Sequence, residues 1–292
     1  MSCNVKNKNG KENEAKEIAV TIEPLRYFAK KIAGDNYAFF SIVPAGQSPE
    51  TYDPSPREMI RVGKGTAYFH IGQLGFEQSL VASIRENDAD TRVFDLSDGM
   101  DFYEEVDCGH SEHSDGSDTH AHYNCSAHGG RDPHIWTSFK GAKVMSENIF
   151  KALSALDKGN YDYYKSNYQR LTVELDSLEN YMHEQLEALS CRSFVIYHPA
   201  LTYFAGEFEL KQYSIENEGK DPSPALLKNL IKEAKAENVK IVFVQVEFDR
   251  KHAEQIAREI GAVTVEINLL DYQWDEQMKI IAKALAENGK TD

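Results

Sequence analysis

Basic residues are scarce in this chain: 32 Lys and Arg stand against 47 Asp and Glu over 292 residues, a net charge of −15. That balance excludes the basic surface which counterion-release binding to nucleic acid requires, and it leaves cations as the natural partners. Long apolar runs are missing too. No stretch approaches the ~20 uninterrupted apolar residues that cross a bilayer, and the longest, such as Ile241-Val242-Phe243-Val244, have strand length. Cysteine is sparse, with four residues, so an exporting context is supported only loosely. The remaining composition, 41% hydrophobic and 27% charged, is that of a packed protein and excludes a disordered or collagen-like chain.

What the sequence has in excess is histidine in one place. His110, His113, His120, His122, His128 and His134, six of ten, fall within 25 residues. Between Arg92 and Arg131 there is no Lys or Arg, but nine acids and five histidines are interleaved with Ser and Gly. Such a segment cannot bury a core and reads as a loop, 101–130. The opening run MSCNVKNKNGKENEAKE is polar and charged, without a hydrophobic signal region. Cys3 ahead of a hydrophilic tether suits a lipid-modified cysteine, the plainer alternative being an incidental exposed thiol. With Cys3 so used, at most one bridge can form among Cys108, Cys125 and Cys191.

Strand and helix patterns alternate along the rest. Strands are expected at 18–22, 37–43, 66–71 and 91–95, with helices at 24–33, near Pro54 and Pro56, and at 76–85. A helix follows at 140–156. A longer one at 161–189 carries Tyr164, Tyr168, Leu171, Leu175, Leu178 and Met182 at helical spacing; at ~30 residues it would be ~45 Å long. Beyond it come a strand at 193–197, a loop, a helix at 224–237, a strand at 240–246, a helix at 251–260, a strand at 262–267 and a helix at 274–287. The expected fold class is α/β: two α/β lobes with parallel-type sheets joined by one long backbone helix. The expected units are a tether (1–16), an N-terminal lobe (17–158), the linking helix (159–189) and a C-terminal lobe (190–292). Loops after the strands then line an interlobe cleft, where ligands collect.

Four ligand-type side chains follow expected strands: Glu50 in PAGQSPETYDPSP, His134 in RDPHIW, His198 in VIYHPALTYF and Asn268 in VEINLL. Imidazole with carboxylate suits zinc or another first-row divalent ion. A single histidine after a strand more often has a structural hydrogen-bonding role; it is the recurrence of such residues that points to a site. His70 and Tyr203 are candidates for supporting roles beside it, against a default of packing. His183-Glu184 lacks the second histidine of a zincin helix, and Gly63 and Gly65 belong to no phosphate loop. No nucleophile with a base and an orienter can be assembled.

The run FAKKIAGDNYAFFSIVPAGQSPETYDPSP, the DPHIW segment, YHPALTYF and DPSPALLKNLIKEAKAENVKIVFVQVEFDRKHAEQIAREIGAVTVEINLL together resemble the metal-binding substrate receptors of ABC importers for zinc and manganese. The resemblance covers nearly the whole chain from about residue 17. It implies two α/β lobes bridged by a long helix, a metal between them and limited hinge motion. Carried over by position, His134 and His198 match metal-binding histidines. Two positions depart: Pro49-Glu50-Thr51-Tyr52 replaces Pro-His-x-Tyr, and Asn268 stands where an Asp normally ligates. The implied set is Glu50, His134 and His198, with water, Asn268 or a loop histidine in the fourth place. Glu247 and Glu266 are further candidates for the missing carboxylate. A histidine at position 198 favours zinc over manganese, since manganese prefers oxygen, and the His-rich loop, a family feature of zinc receptors, points the same way.

The expected function is that of an extracytoplasmic receptor, periplasmic and lipid-anchored through Cys3. As a monomer it would capture Zn2+, with Mn2+ the second choice, and deliver it to the membrane subunit of an ABC permease. In that reading His110, His113, His120, His122 and His128 form an accessory trap, and Cys108 and Cys125 frame it. Alternatives are a zinc buffer, metallochaperone or adhesin-like surface protein acting through the loop, and a zinc hydrolase with Glu50 as base.

Overall fold

A computed structural model describes residues 16–87, 90–103, 131–216 and 222–289. Cys3, Cys108, Cys125 and the histidines at 110, 113, 120, 122 and 128 lie outside the described residues, so the expected trap is not placed. Among those described, eight strands form two four-stranded parallel sheets.

The first sheet takes β1 (Glu17–Val20), β2 (Ala38–Ser41), β3 (Ala67–His70) and β4 (Arg92–Asp95) in the order β2-β1-β3-β4, with α1 (Glu23–Ala33), α2 (Pro56–Gly63) and α3 (Gly75–Glu86) as crossovers. Local chemistry sets these limits. Ser55 opens α2 with a reciprocal cap, in which its hydroxyl accepts from Glu58 N and the Glu58 carboxylate accepts from Ser55 N at 2.8 Å, while Pro56 supplies the first helical position. Every residue of β3 is buried, as is usual when helices cover both faces of a parallel sheet.

A 3-10 turn at Ile135–Thr137 leads into α4 (Phe139–Leu156) and then α5 (Tyr161–Leu186). The second sheet follows, with β5 (Ser193–Ile196), β6 (Lys211–Ser214), β7 (Ile241–Gln245) and β8 (Val263–Ile267) in the order β6-β5-β7-β8. Its helices are α6 (Thr202–Glu207), α7 (Pro224–Ala236), α8 (Arg250–Ile260) and α9 (Trp274–Asn288). Gly261 ends α8 in the left-handed conformation, φ 72°, which glycine adopts without strain. The sequence pattern leaves a single loop between 198 and 223, whereas the structure forms α6 and β6 there. Six residues are too few to show a helical period, and Lys-Gln-Tyr-Ser at a sheet edge carries no apolar alternation.

The long helix α5 is 26 residues, so ~39 Å. Tyr164, Leu171, Leu175, Met182 and Leu186 line its buried face, which packs on α1 and α4 of the first lobe and on α9 of the second. One apolar core consequently runs from Ile18 to Leu285 through both lobes. Polar bonds cross the same boundary. Trp136 Nε1 donates to Leu269 O at 3.0 Å, and Trp274 Nε1 donates to Trp136 O at 2.6 Å. Glu207 of α6 accepts from Phe139 N and Lys140 N at 2.8 and 2.5 Å, satisfying two of the orphan donors at the start of α4. Wide opening of the lobes would break these bonds and expose both tryptophans, so small adjustments are the motion this joint favours.

Candidate metal centre

Three side chains from three loops converge at the boundary of the lobes. Glu50 comes from the segment between β2 and α2, His134 from the turn ahead of α4, and His198 from the end of β5. Glu50 Oε1 lies 3.4 Å from His134 Nε2 and 3.0 Å from His198 Nε2, and the two Nε2 atoms are 3.3 Å apart. Donors around a tetrahedral zinc at 2.0–2.1 Å are separated by about 3.3 Å. The triangle therefore has the size of one face of a metal coordination shell. Among the described residues, these three form the group of His, Cys, Asp and Glu able to share an ion.

Each imidazole is aimed by a buried carboxylate. Asp132 Oδ1 sits 2.9 Å from His134 Nδ1 and also accepts from His134 N at 2.8 Å. Glu216 Oε2 sits 3.2 Å from His198 Nδ1. A carboxylate beside Nδ1 holds a proton there, which leaves Nε2 as the nitrogen that can take an ion at the common point, and it raises the basicity of the ring as a ligand. Gln245 clamps the His198 backbone, accepting from His198 N at 3.3 Å and donating to His198 O at 2.7 Å. Trp136 packs on the His134 ring, and Phe248 stacks on His198 at 5.4 Å and 20°.

The electrostatics favour a cation. Burial works against a charged His198, yet hydrogen bonds to Glu216 and Glu50 outweigh it and push its pKa up to about 10. The same carboxylates attract a metal ion, and an ion binding at Nε2 must displace that proton. The triangle opens on a cavity of about 30 Å³ whose wall includes Ser48, Ala200, Glu247 and Leu270. That is room for one ion or one water, not for an organic molecule.

The other expected site residues lie outside this triangle. Asn268 holds the turn after β8: its Oδ1 accepts from Leu270 N at 3.1 Å and its Nδ2 donates to Asp271 at 3.4 Å, and Leu269 and Leu270 supply the cavity wall at that corner. Glu266 is exposed and paired with Arg250 at 3.0 Å. Burial raises the pKa of the Glu247 carboxyl, and its own N–H and His198 offset this only in part. Tyr203 stands one residue removed from a ligand, since its OH donates to Asp132 O at 2.8 Å. His70 ends β3, where its ring packs on Tyr68 and its Nδ1 is buried with no hydrogen-bond partner among the described residues. Burial lowers its pKa, Asp95 acts the other way, and Arg85 lowers it further.

Sequence reasoning missed Asp132, Glu216 and Gln245. Asp132 is two residues before His134 in DPHIW and could have been read as its anchor. Glu216 and Gln245 lie 18 and 47 residues from His198 and carried no signal.

The family described as zinc-uptake complex component A, periplasmic, matches residues 18–287. The high-affinity zinc uptake system protein ZnuA of Bacillus subtilis (strain 168) is 26% identical over 258 residues, 87% of this chain and 78% of that protein. The manganese ABC transporter substrate-binding lipoprotein PsaA of Streptococcus pneumoniae serotype 4 (strain ATCC BAA-334 / TIGR4) is 25% identical over 304 residues, 99% of this chain and 87% of the relative. A crystal structure of a ZnuA 138-173 deletion mutant with zinc bound is similar at a TM-score of 0.83 and 32% identity, covering 96% of this chain and 100% of that one.

Proposed function

Because the chain belongs to the family of the periplasmic zinc-uptake complex component A, we propose that it captures zinc outside the cytoplasm as a monomer and delivers it to the membrane subunit of an ABC importer. The observation that carries this reading is the triangle of Glu50, His134 and His198, with both imidazoles aimed by buried carboxylates. Two nitrogens and one oxygen suit zinc, and the same set accommodates manganese less well. Anchoring through Cys3 belongs to the same proposal. Catalysis does not: the cavity has no room for an ester or peptide, and Glu50 is held between the two imidazoles rather than free to serve as a base.

Metal titration against a competing chelator tests the assignment. His198→Ala is expected to weaken the tightest zinc site by more than the about 10–100-fold that even an outer partner of a ligand contributes. Unchanged stoichiometry and affinity in the variant would overturn it. Deleting residues 108–128 should remove weaker ions and spare the tight one. Loss of the tight site in that deletion would favour a loop-based buffer instead.

A further inference from the structure

One side chain at the metal cavity has no task in the arrangement described so far. Glu247 lies on the cavity wall, two residues beyond the end of β7, and its Oε1 is buried without a hydrogen-bond partner among the described residues. A buried carboxylate oxygen left unpaired is costly, and in a native fold it calls for a partner. The neighbouring residues are all engaged. Gln245 clamps the His198 backbone, and Phe248 stacks on the His198 ring. Glu247 sits between them in a turn closed by Phe248 N donating to Gln245 O at 3.1 Å. Glu247 and the three residues of the triangle line the same cavity.

We propose that Glu247 is a fourth protein ligand of the captured ion, joining Glu50, His134 and His198. This rests on the metal-receptor reading above and specifies its donor set. Asn268 does not fill the role in this geometry, because its amide oxygen is committed to Leu270 N. With Glu247 the set becomes two imidazoles and two carboxylates, whose charges neutralise a divalent ion. Two oxygen donors also shift the site toward harder ions, so that manganese and ferrous iron compete with zinc better than they would at a nitrogen-rich site. Glu247 is in this sense a specificity-determining residue: its removal should penalise manganese more than zinc.

The test compares wild type, Glu247→Ala and the near-isosteric Glu247→Gln, with His198→Ala as the reference for a lost ligand. Zinc and manganese affinities are measured by chelator competition. Cobalt(II) serves as a spectroscopic probe, since its visible bands report the number and type of donors. Folding of each metal-free variant is checked by circular dichroism. Both Glu247 variants are expected to lose at least about tenfold in manganese affinity, the lower end of what an outer partner contributes, to lose less for zinc, and to show an altered cobalt spectrum. Affinities within twofold of wild type and an unchanged spectrum, with His198→Ala still defective, would overturn the role of Glu247 and leave the receptor reading standing. A wild type that binds neither ion tightly would overturn both.

Discussion

The two lobes share one topology and use it differently. Each sheet places its strands in the order second, first, third, fourth, and the backbone matches in detail: Thr21 N donates to Phe69 O at 3.2 Å where Tyr197 N donates to Phe243 O at 3.0 Å. By that register His198 corresponds to Ile22, Gln245 to Ile71, and Glu247 to Gln73. The C-terminal lobe places its proposed metal ligand, His198, at the point where the strand order reverses, the crevice where open α/β sheets collect ligands. The N-terminal lobe plugs the same point. There Ile22 is buried, and Glu77 of α3 takes hydrogen bonds from Thr21 Oγ1 at 2.5 Å and from Ile71 N and Leu74 N at 3.1 Å each. Its contributions to the site come instead from a loop after an edge strand (Glu50) and from the lead into α4 (His134). Topology thus decides where loops gather, and the side chains decide which of those loops binds.

The side chain that ties backbone at the sheet end is ionisable in the N-terminal lobe, Glu77, and neutral in the C-terminal lobe, Gln245, and this allows the sharpest test of the comparison. Gln245 and Glu77 both tie backbone at a sheet end, but burial pushes the Glu77 carboxyl from an ordinary 4.5 up to about 7, against hydrogen bonds that favour the charge. Between those two values the folded protein keeps a proton that the unfolded chain has released, so stability falls as pH rises. The stabilisation is fully present below pH 4.5 and is lost as pH passes about 7, amounting to about 3 kcal/mol across the window. Urea unfolding of wild type and Glu77→Gln from pH 4.5 to 8 should show the wild type losing this much relative to the variant. Parallel pH curves would show that Glu77 contributes no more pH dependence than the neutral Gln245 does.

A second contrast concerns the two carboxylates that aim the imidazoles, one from each lobe. Asp132 is the closer, 2.9 Å from its ring against 3.2 Å for Glu216, and it also holds its histidine's backbone N–H. Asp132→Ala and Glu216→Ala should each weaken zinc binding by about 10–100-fold, with Asp132→Ala the larger. Isothermal titration with a chelator resolves the order, and a larger loss in Glu216→Ala would mean that the C-terminal lobe, not the N-terminal one, is the better organised half.

Much of this was legible in the sequence, for identifiable reasons. Apolar runs and helical spacing located seven of the eight described strands, all but β6, since a parallel strand covered on both faces reads as a continuous apolar run. Glu50, His134 and His198 stood out because each follows a strand or opens a helix beside turn-forming residues. What stayed hidden depends on strand pairing. Glu216 reaches His198 because β5 and β6 are neighbours, and Gln245 because β5 and β7 are, and neither adjacency leaves a local mark. Asn268 shows the converse limit: its position suggested a ligand, while an Asn two residues before a free backbone N–H closes a turn equally well.

The smallest expected effect probes how far the lobes depend on each other at the site. Tyr203, from α6 of the second lobe, donates to Asp132 O at 2.8 Å and accepts from Tyr103 N at 3.2 Å, so it braces the segment carrying His134 through the backbone. Tyr203→Phe keeps the ring packing and removes both bonds, which should reduce stability by about 1 kcal/mol. Because Asp132 Oδ1 still holds His134 at two points, zinc affinity should fall several-fold less than in Asp132→Ala. Thermal unfolding and chelator competition on the one variant separate the two quantities. An affinity loss equal to that of Asp132→Ala would mean that the second lobe positions the first lobe's ligand, and that the division of the site between lobes is weaker than their separate sheets suggest.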